Sequence, residues 1–180
     1  LGGGSSNAVT IFKYLLKKKI KKKIFNQTLN SVGSDLKLFL YNQGFLKDLY
    51  TVIKLKKKYK LFFLLAQPKI KCSTPLVYKE VKKYSKKKVF ISKKLTKRVG
   101  FINFLIKGRN DLQSIVEKKY SSVRKLLGDI YIEKGCYLSR MTGSGSVCFG
   151  LFSDENCSKV ALRALKKKYP KFWFSIAKTI

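Results

Sequence analysis

The apolar run LFFLLA, Leu61 to Ala66, sits between Lys60 and the pair Gln67-Pro68. At six residues it falls far short of the ~20 needed to span a bilayer, and its length suits a buried strand. Pro68 closes it, because proline brings no N–H to a strand ladder. A strand apolar at successive positions needs cover on its faces, so the rest of the chain must supply helices or further strands.

That cover is legible on both sides of the run. Ala8 to Leu16 has helical spacing, with Ser5, Ser6 or Asn7 as the cap. A short helix is expected near Ile24 to Leu29, then an alternating strand in LKLFLYNQG (Leu36 to Gly44), answered by LYTVIKL (Leu49 to Leu55) as a hairpin partner. Beyond Pro68, STPLVYKEVKKY (Ser73 to Tyr84) begins with Ser73 or Thr74 as a cap and Pro75 in the first turn. Leu95 to Ile106 and Asn110 to Leu127 are expected helices, the second capped by Asn110 or Asp111. YLSRMTGSGSVCFGLF reads as two apolar runs around a glycine-serine turn, followed by a helix from Glu155 to Tyr169 and a final strand in FWFSIAKTI. This alternation predicts an α+β fold.

The formal net charge is +32, from 41 Lys and Arg against 9 Asp and Glu. Charge alone points to nucleic acid or an anionic membrane surface. Only five of the basic residues are arginine, the residue suited to bidentate base and phosphate contacts. The lysines form short blocks after or between apolar runs, as solvated helix ends and loops do. A basic nucleic-acid-binding protein therefore stays as a rival, and its affinity for DNA or RNA should survive moderate salt. With 45% hydrophobic residues in 180, the chain has the material for a sizeable core. Four cysteines without a CxxC, and no histidine, argue against a zinc site. A reducing cytoplasm fits, and the amino end shows no basic segment before its first apolar run.

Three segments carry chemistry. In GGGSSNA, Gly2 to Ala8, glycines let backbone amides approach an anion, and a helix start adds unpaired N–H groups and a partial positive charge. It is not a Walker A loop, which needs a lysine followed by Ser or Thr after the last glycine. In RMTGSGSVCFG, Arg140 to Gly150, two glycines flank a serine in a tight turn. In VGSDLKLFL, Asp35 follows two small residues; it is either a turn residue or a carboxylate that takes the proton of an attacking hydroxyl.

Taken in order and spacing, LGGGSSNA, VGSD, STPLVY, NDL and RMTGSGSVCFG resemble the GHMP kinases. The resemblance runs from Leu1 through the SRMTGSGS region and the helix beyond. It implies a two-domain α+β fold, with residues 1–56 as the remainder of an amino-terminal, ATP-binding domain and 57–180 as the carboxy-terminal domain. Within the family it implies ATP-dependent phosphorylation of the 2-hydroxyl of a cytidine-diphosphate-linked methylerythritol, on the non-mevalonate route to isoprenoid precursors. Gly2, Gly3, Gly4, Ser5, Ser6 and Asn7 would then wrap the ATP phosphates, with Gly143, Ser144 and Gly145 completing the nucleotide side. Asp35 would be the catalytic aspartate, Thr74 and Tyr78 would approach the cytidine ring, and Mg²⁺ would accompany ATP. No specific nucleic-acid or membrane partner is implied.

The departures are specific. The family's first motif, a Pro-Ala-Lys-x-Asn segment, is not in this sequence, so the chain corresponds to about the carboxy-terminal two-thirds of such an enzyme. Alone it is expected to have little kinase activity, because phosphoryl transfer depends on positioned charge. After Asp35, Leu36 and Lys37 stand where the family usually has proline, and GFLKDLYTV replaces a Gly-x-Gly-Glu turn. Another small-molecule kinase of the family and an inactive remnant remain as alternatives.

Overall fold

A computed structural model describes residues 3–17, 27, 34–40, 43–46, 51–55, 58–85 and 97–179. The chain divides into two compact units, Leu1–Lys58 with Ile180, and Tyr59–Thr179.

In the first unit, helix α1 (Gly3–Lys17) includes Gly3, Gly4, Ser5 and Ser6. Ser5, Ser6 and Asn7 therefore lie within its first turns and do not cap it. A 3-10 helix follows at Ser34–Leu40, where alternation predicted a strand. The competing spacing won: Leu36, Phe39 and Leu40 recur at i, i+3 and i+4, and Leu36 packs on Val9 in a small cluster with Ala8, Phe12, Phe39 and Leu40. Lys13 Nζ donates to the Phe39 carbonyl at 3.3 Å, tying the two helices. The strand appears later, as β1 (Gly44–Leu46), and pairs antiparallel with β2 (Val52–Lys54), Phe45 opposite Ile53. The helix expected over Ile24 to Leu29 lies outside the described residues, save Gln27.

The second unit contains β3 (Phe62–Gln67), α2 (Thr74–Lys79), α3 (Arg98–Lys107), α4 (Gln113–Lys119), α5 (Ser121–Tyr131), β4 (Cys136–Met141), β5 (Cys148–Phe152), α6 (Glu155–Lys168) and β6 (Trp173–Lys178). Its sheet has the order β4-β5-β3-β6, antiparallel throughout. The apolar run is thus an interior strand, with Leu64 opposite Gly150 on one side and Ile176 on the other.

The core lies where α5 and α6 cover the sheet. Val123, Leu126, Leu127 and Ile130 recur at helical spacing along α5, and all are buried, with Ala161 and Leu165 from α6. Each large side chain buried in this way contributes about 1.5–3 kcal/mol. The approach of α5 to the sheet explains Gly150: a Cβ there would stand 2.5 Å from Ile130 Cγ2 and 2.7 Å from a Phe152 ring carbon. Asp154 caps α6, its Oδ1 accepting from the Cys157 N–H at 2.8 Å. At the far end of α6, Asp129 of α5 accepts from the Tyr169 hydroxyl and pairs with Lys168 at 2.7 Å.

Two expected helices differ from those observed. Asn110 to Leu127 is not continuous: Tyr120, at φ −127° and ψ 91°, separates α4 from α5 and turns the chain so that each helix presents its own apolar face. The helix begun by Pro75 stops at Lys79, short of the expected Tyr84. Among the described residues no helix is long and apolar enough to cross a membrane.

Candidate functional site

The turn joining β4 to β5 gathers side chains from three parts of the second unit. Its own backbone closes it: Thr142 N–H donates to the Val147 carbonyl at 2.8 Å, and Gly145 N–H to the Thr142 carbonyl at 3.0 Å. Gly145 has φ +89°, and a Cβ there would meet Met141 Sδ at 2.7 Å and Cys72 Sγ at 3.3 Å. Backbone and space therefore both demand glycine. Gly143, at φ +49°, has open space around it, so only its backbone favours glycine.

Neighbouring segments then hold this turn in place. Asn110 Nδ2 donates to the carbonyls of Met141 at 2.9 Å and Gly143 at 2.8 Å, while its Oδ1 accepts from Leu112 N–H at 3.0 Å. Gln113 Oε1 accepts from Met141 N–H at 3.0 Å. From the other side, Ser146 Oγ donates to the Ile70 carbonyl at 2.7 Å, and the hydroxyls of Thr74 and Ser144 share a hydrogen bond of 2.7 Å. The structure thus joins Thr74, singled out for the substrate side, to Ser144, singled out for the nucleotide side. Tyr78 lies one helical turn beyond Thr74 on the same face of α2 and is 51% exposed.

An open cleft of about 750 Å³ is lined in part by Tyr84, Arg109, Arg140 and the two side chains that hold the turn, Asn110 and Gln113. Its size is that of a small-molecule site. Arg140 is structurally engaged: its guanidinium donates to the carbonyls of Leu105 at 3.1 Å and Ile106 at 3.3 Å, satisfying the last turn of α3. Burial pushes the Cys148 thiol up to about 12 and the Cys136 thiol to about 11, and raises Cys72 as well. At neutral pH these three are neutral thiols and poor nucleophiles. Among the described residues no group of three Cys, Asp or Glu side chains could hold a metal ion.

In the first unit, Gly3, Gly4, Ser5, Ser6 and Asn7 form the opening of α1, and Asp35 is the second residue of the 3-10 helix that packs on α1 through Leu36 and Val9. Gly2 lies outside the described residues. Sequence reasoning missed Gln113 altogether; it had Asn110 as a helix cap within NDL and Ser146 within RMTGSGSVCFG, without the bonds either makes. No local rule signals a side chain that bonds to backbone 31 and 33 residues away.

The GHMP kinase carboxy-terminal domain profile matches residues 102–171, which include Asn110, Gln113 and the glycine turn. Two proteins named 4-diphosphocytidyl-2-C-methyl-D-erythritol kinase align with nearly all of this chain. That of Pelagibacter ubique is 29% identical, over 100% of this chain and 64% of its own length; that of Anaplasma marginale (strain Florida) is 31% identical, over 96% and 61%. Over residues 102–171 this chain carries a GHMP kinase carboxy-terminal domain. It spans little more than three-fifths of the length of these relatives. A crystal structure of 4-(cytidine 5'-diphospho)-2C-methyl-D-erythritol kinase superposes with a TM-score of 0.69 at 23% identity, covering 100% of this chain and 66% of that one. A homoserine kinase from Cytophaga hutchinsonii superposes with a TM-score of 0.54 at 14% identity, over 81% of this chain and 50% of that one. Both share the GHMP kinase fold, mixed helices and sheet, with this chain.

Proposed function

We propose that this chain is part of a GHMP kinase that transfers the γ-phosphate of ATP to the 2-hydroxyl of 4-diphosphocytidyl-2-C-methyl-D-erythritol. The observation that carries this reading is the Thr74–Ser144 hydrogen bond, which links the segment ahead of Tyr78 to the glycine turn. The two relatives that bear this substrate in their names support it across 96–100% of the chain.

Each residue then has a role. First-turn amides of α1, with Gly2, Gly3, Gly4, Ser5, Ser6 and Asn7, hold the ATP phosphates through N–H donors and the helix dipole. Gly143, Ser144 and Gly145 complete the nucleotide side. Tyr78, exposed and one turn beyond Thr74, stacks on the cytosine ring. Asp35 accepts or orients the proton of the attacking hydroxyl as the oxygen bonds to phosphorus. Mg²⁺ enters with the nucleotide and neutralises phosphate charge; no described residue is assigned to it. The product of the complete reading frame acts in the cytoplasm on a small-molecule substrate.

The test is turnover by that complete product and its Asp35→Asn variant. The variant should lose about 100-fold or more in kcat with ATP affinity retained. Turnover near wild type would leave Asp35 a turn residue and remove the proposed mechanism.

A further inference from the structure

The segment 79–83, which follows α2, and helix α4 line an open cleft of about 760 Å³ in the second unit. Lys79, Lys82, Lys83, Lys118 and Lys119 all border it. Its acidic residues offset little of this charge. Glu80 reaches only Lys119, at 3.9 Å, and Asp111 Oδ2 is occupied by the Ser85 N–H at 2.9 Å. The ammonium groups of Lys79, Lys82, Lys83 and Lys118 make no ion pair or hydrogen bond among the described residues. The helix dipole rationalises Lys79, Lys118 and Lys119, which stand in last turns, but not Lys82 and Lys83, which lie beyond α2. Ammonium groups crowded around a concavity repel one another, and a multivalent anion relieves that repulsion.

The lining contains no arginine and no aromatic ring, so it lacks both the bidentate fork and the stacking platform that nucleic-acid grooves use. Its volume falls in the small-molecule range. We propose that this cleft binds a compact polyphosphate, free or borne by a small molecule, held by the ammonium groups of Lys79, Lys82, Lys83 and Lys118. The inference stands on this cleft alone and does not depend on the kinase reading.

The test is a titration with inorganic tripolyphosphate, without Mg²⁺, at about 150 mM salt, where distant surface attraction is largely screened. The double variant Lys82→Gln/Lys118→Gln should weaken binding about tenfold or more. Lys166→Gln/Lys167→Gln, on α6 and with the same loss of charge, should leave it within about twofold. Backbone amide shifts on titration should concentrate in 79–83 and 113–119, a readout that needs no variant. Equal weakening by the two pairs, shifts spread elsewhere, or tighter binding of single-stranded oligonucleotide at these residues would each overturn the proposal. Cytidine diphosphate bound more tightly than pyrophosphate would support a nucleotide-borne ligand; equal binding would support a free one.

Discussion

Replacing Asn110 should loosen the glycine turn more than any other single polar change in the second unit. Alanine removes donors to two carbonyls, Met141 at 2.9 Å and Gly143 at 2.8 Å, and the acceptor for Leu112 N–H. At about 1 kcal/mol net for each bond, and with water able to reach the exposed Gly143 carbonyl, the loss is about 2–3 kcal/mol. For a unit of this size that lowers the melting temperature by roughly 8–12 °C. Asn110→Asp sharpens the test, since it keeps the acceptor for Leu112 but points a carboxylate at two carbonyl oxygens. The new carboxyl is neutral more readily in the folded state, so its folded pKa is raised and the deficit shrinks as pH falls through it. Trp173, the only tryptophan, lies on β6 and reports unfolding of this unit by fluorescence. An Asn110→Ala protein melting within about 2 °C of wild type, or an Asn110→Asp deficit that does not change with pH, would refute the role given to this side chain.

Further expectations concern single sites. Gly150→Ala should cost about 3 kcal/mol or more by urea unfolding, because its Cβ meets Ile130 and Phe152 in a packed core. Gly145→Ala should destabilise more than Gly143→Ala, since both have positive φ but only Gly145 is also crowded. Tyr78→Ala should raise KM for the cytidine substrate about tenfold or more while leaving KM for ATP unchanged, as loss of base stacking demands. Asp154, held down to about 2 chiefly by the Cys157 backbone N–H, contributes stability that is present above its ordinary 3.8 and lost as pH falls through about 2. Asp154→Ala should remove that part of the acid dependence of the melting temperature.

The sequence was most legible where two signals agreed. The run at Leu61 to Ala66 had its length, its apolar content and Pro68 pointing the same way, and β3 fills that place. The helix from Glu155 had apolar spacing as well as a lysine-rich last turn, and α6 runs to Lys168. Leu36 to Leu40 carried two periods at once, and contact with Val9 selected the helical one. Tyr120 gave no breaker signal, because a helix interruption there is set by what α4 and α5 each pack against. At the candidate site, the glycine turn and Thr74 were visible as motifs. The bonding roles of Asn110, Gln113 and Ser146 were not, since their bonds are made between side chains and backbone far apart in sequence.

The measurement closest to the central claim is phosphate transfer by the complete gene product, offered ATP with either 4-diphosphocytidyl-2-C-methyl-D-erythritol or homoserine. The account predicts phosphorylation of the cytidine substrate at its 2-hydroxyl and none of homoserine. Transfer to homoserine, or to neither compound under conditions where ATP binds, would contradict it.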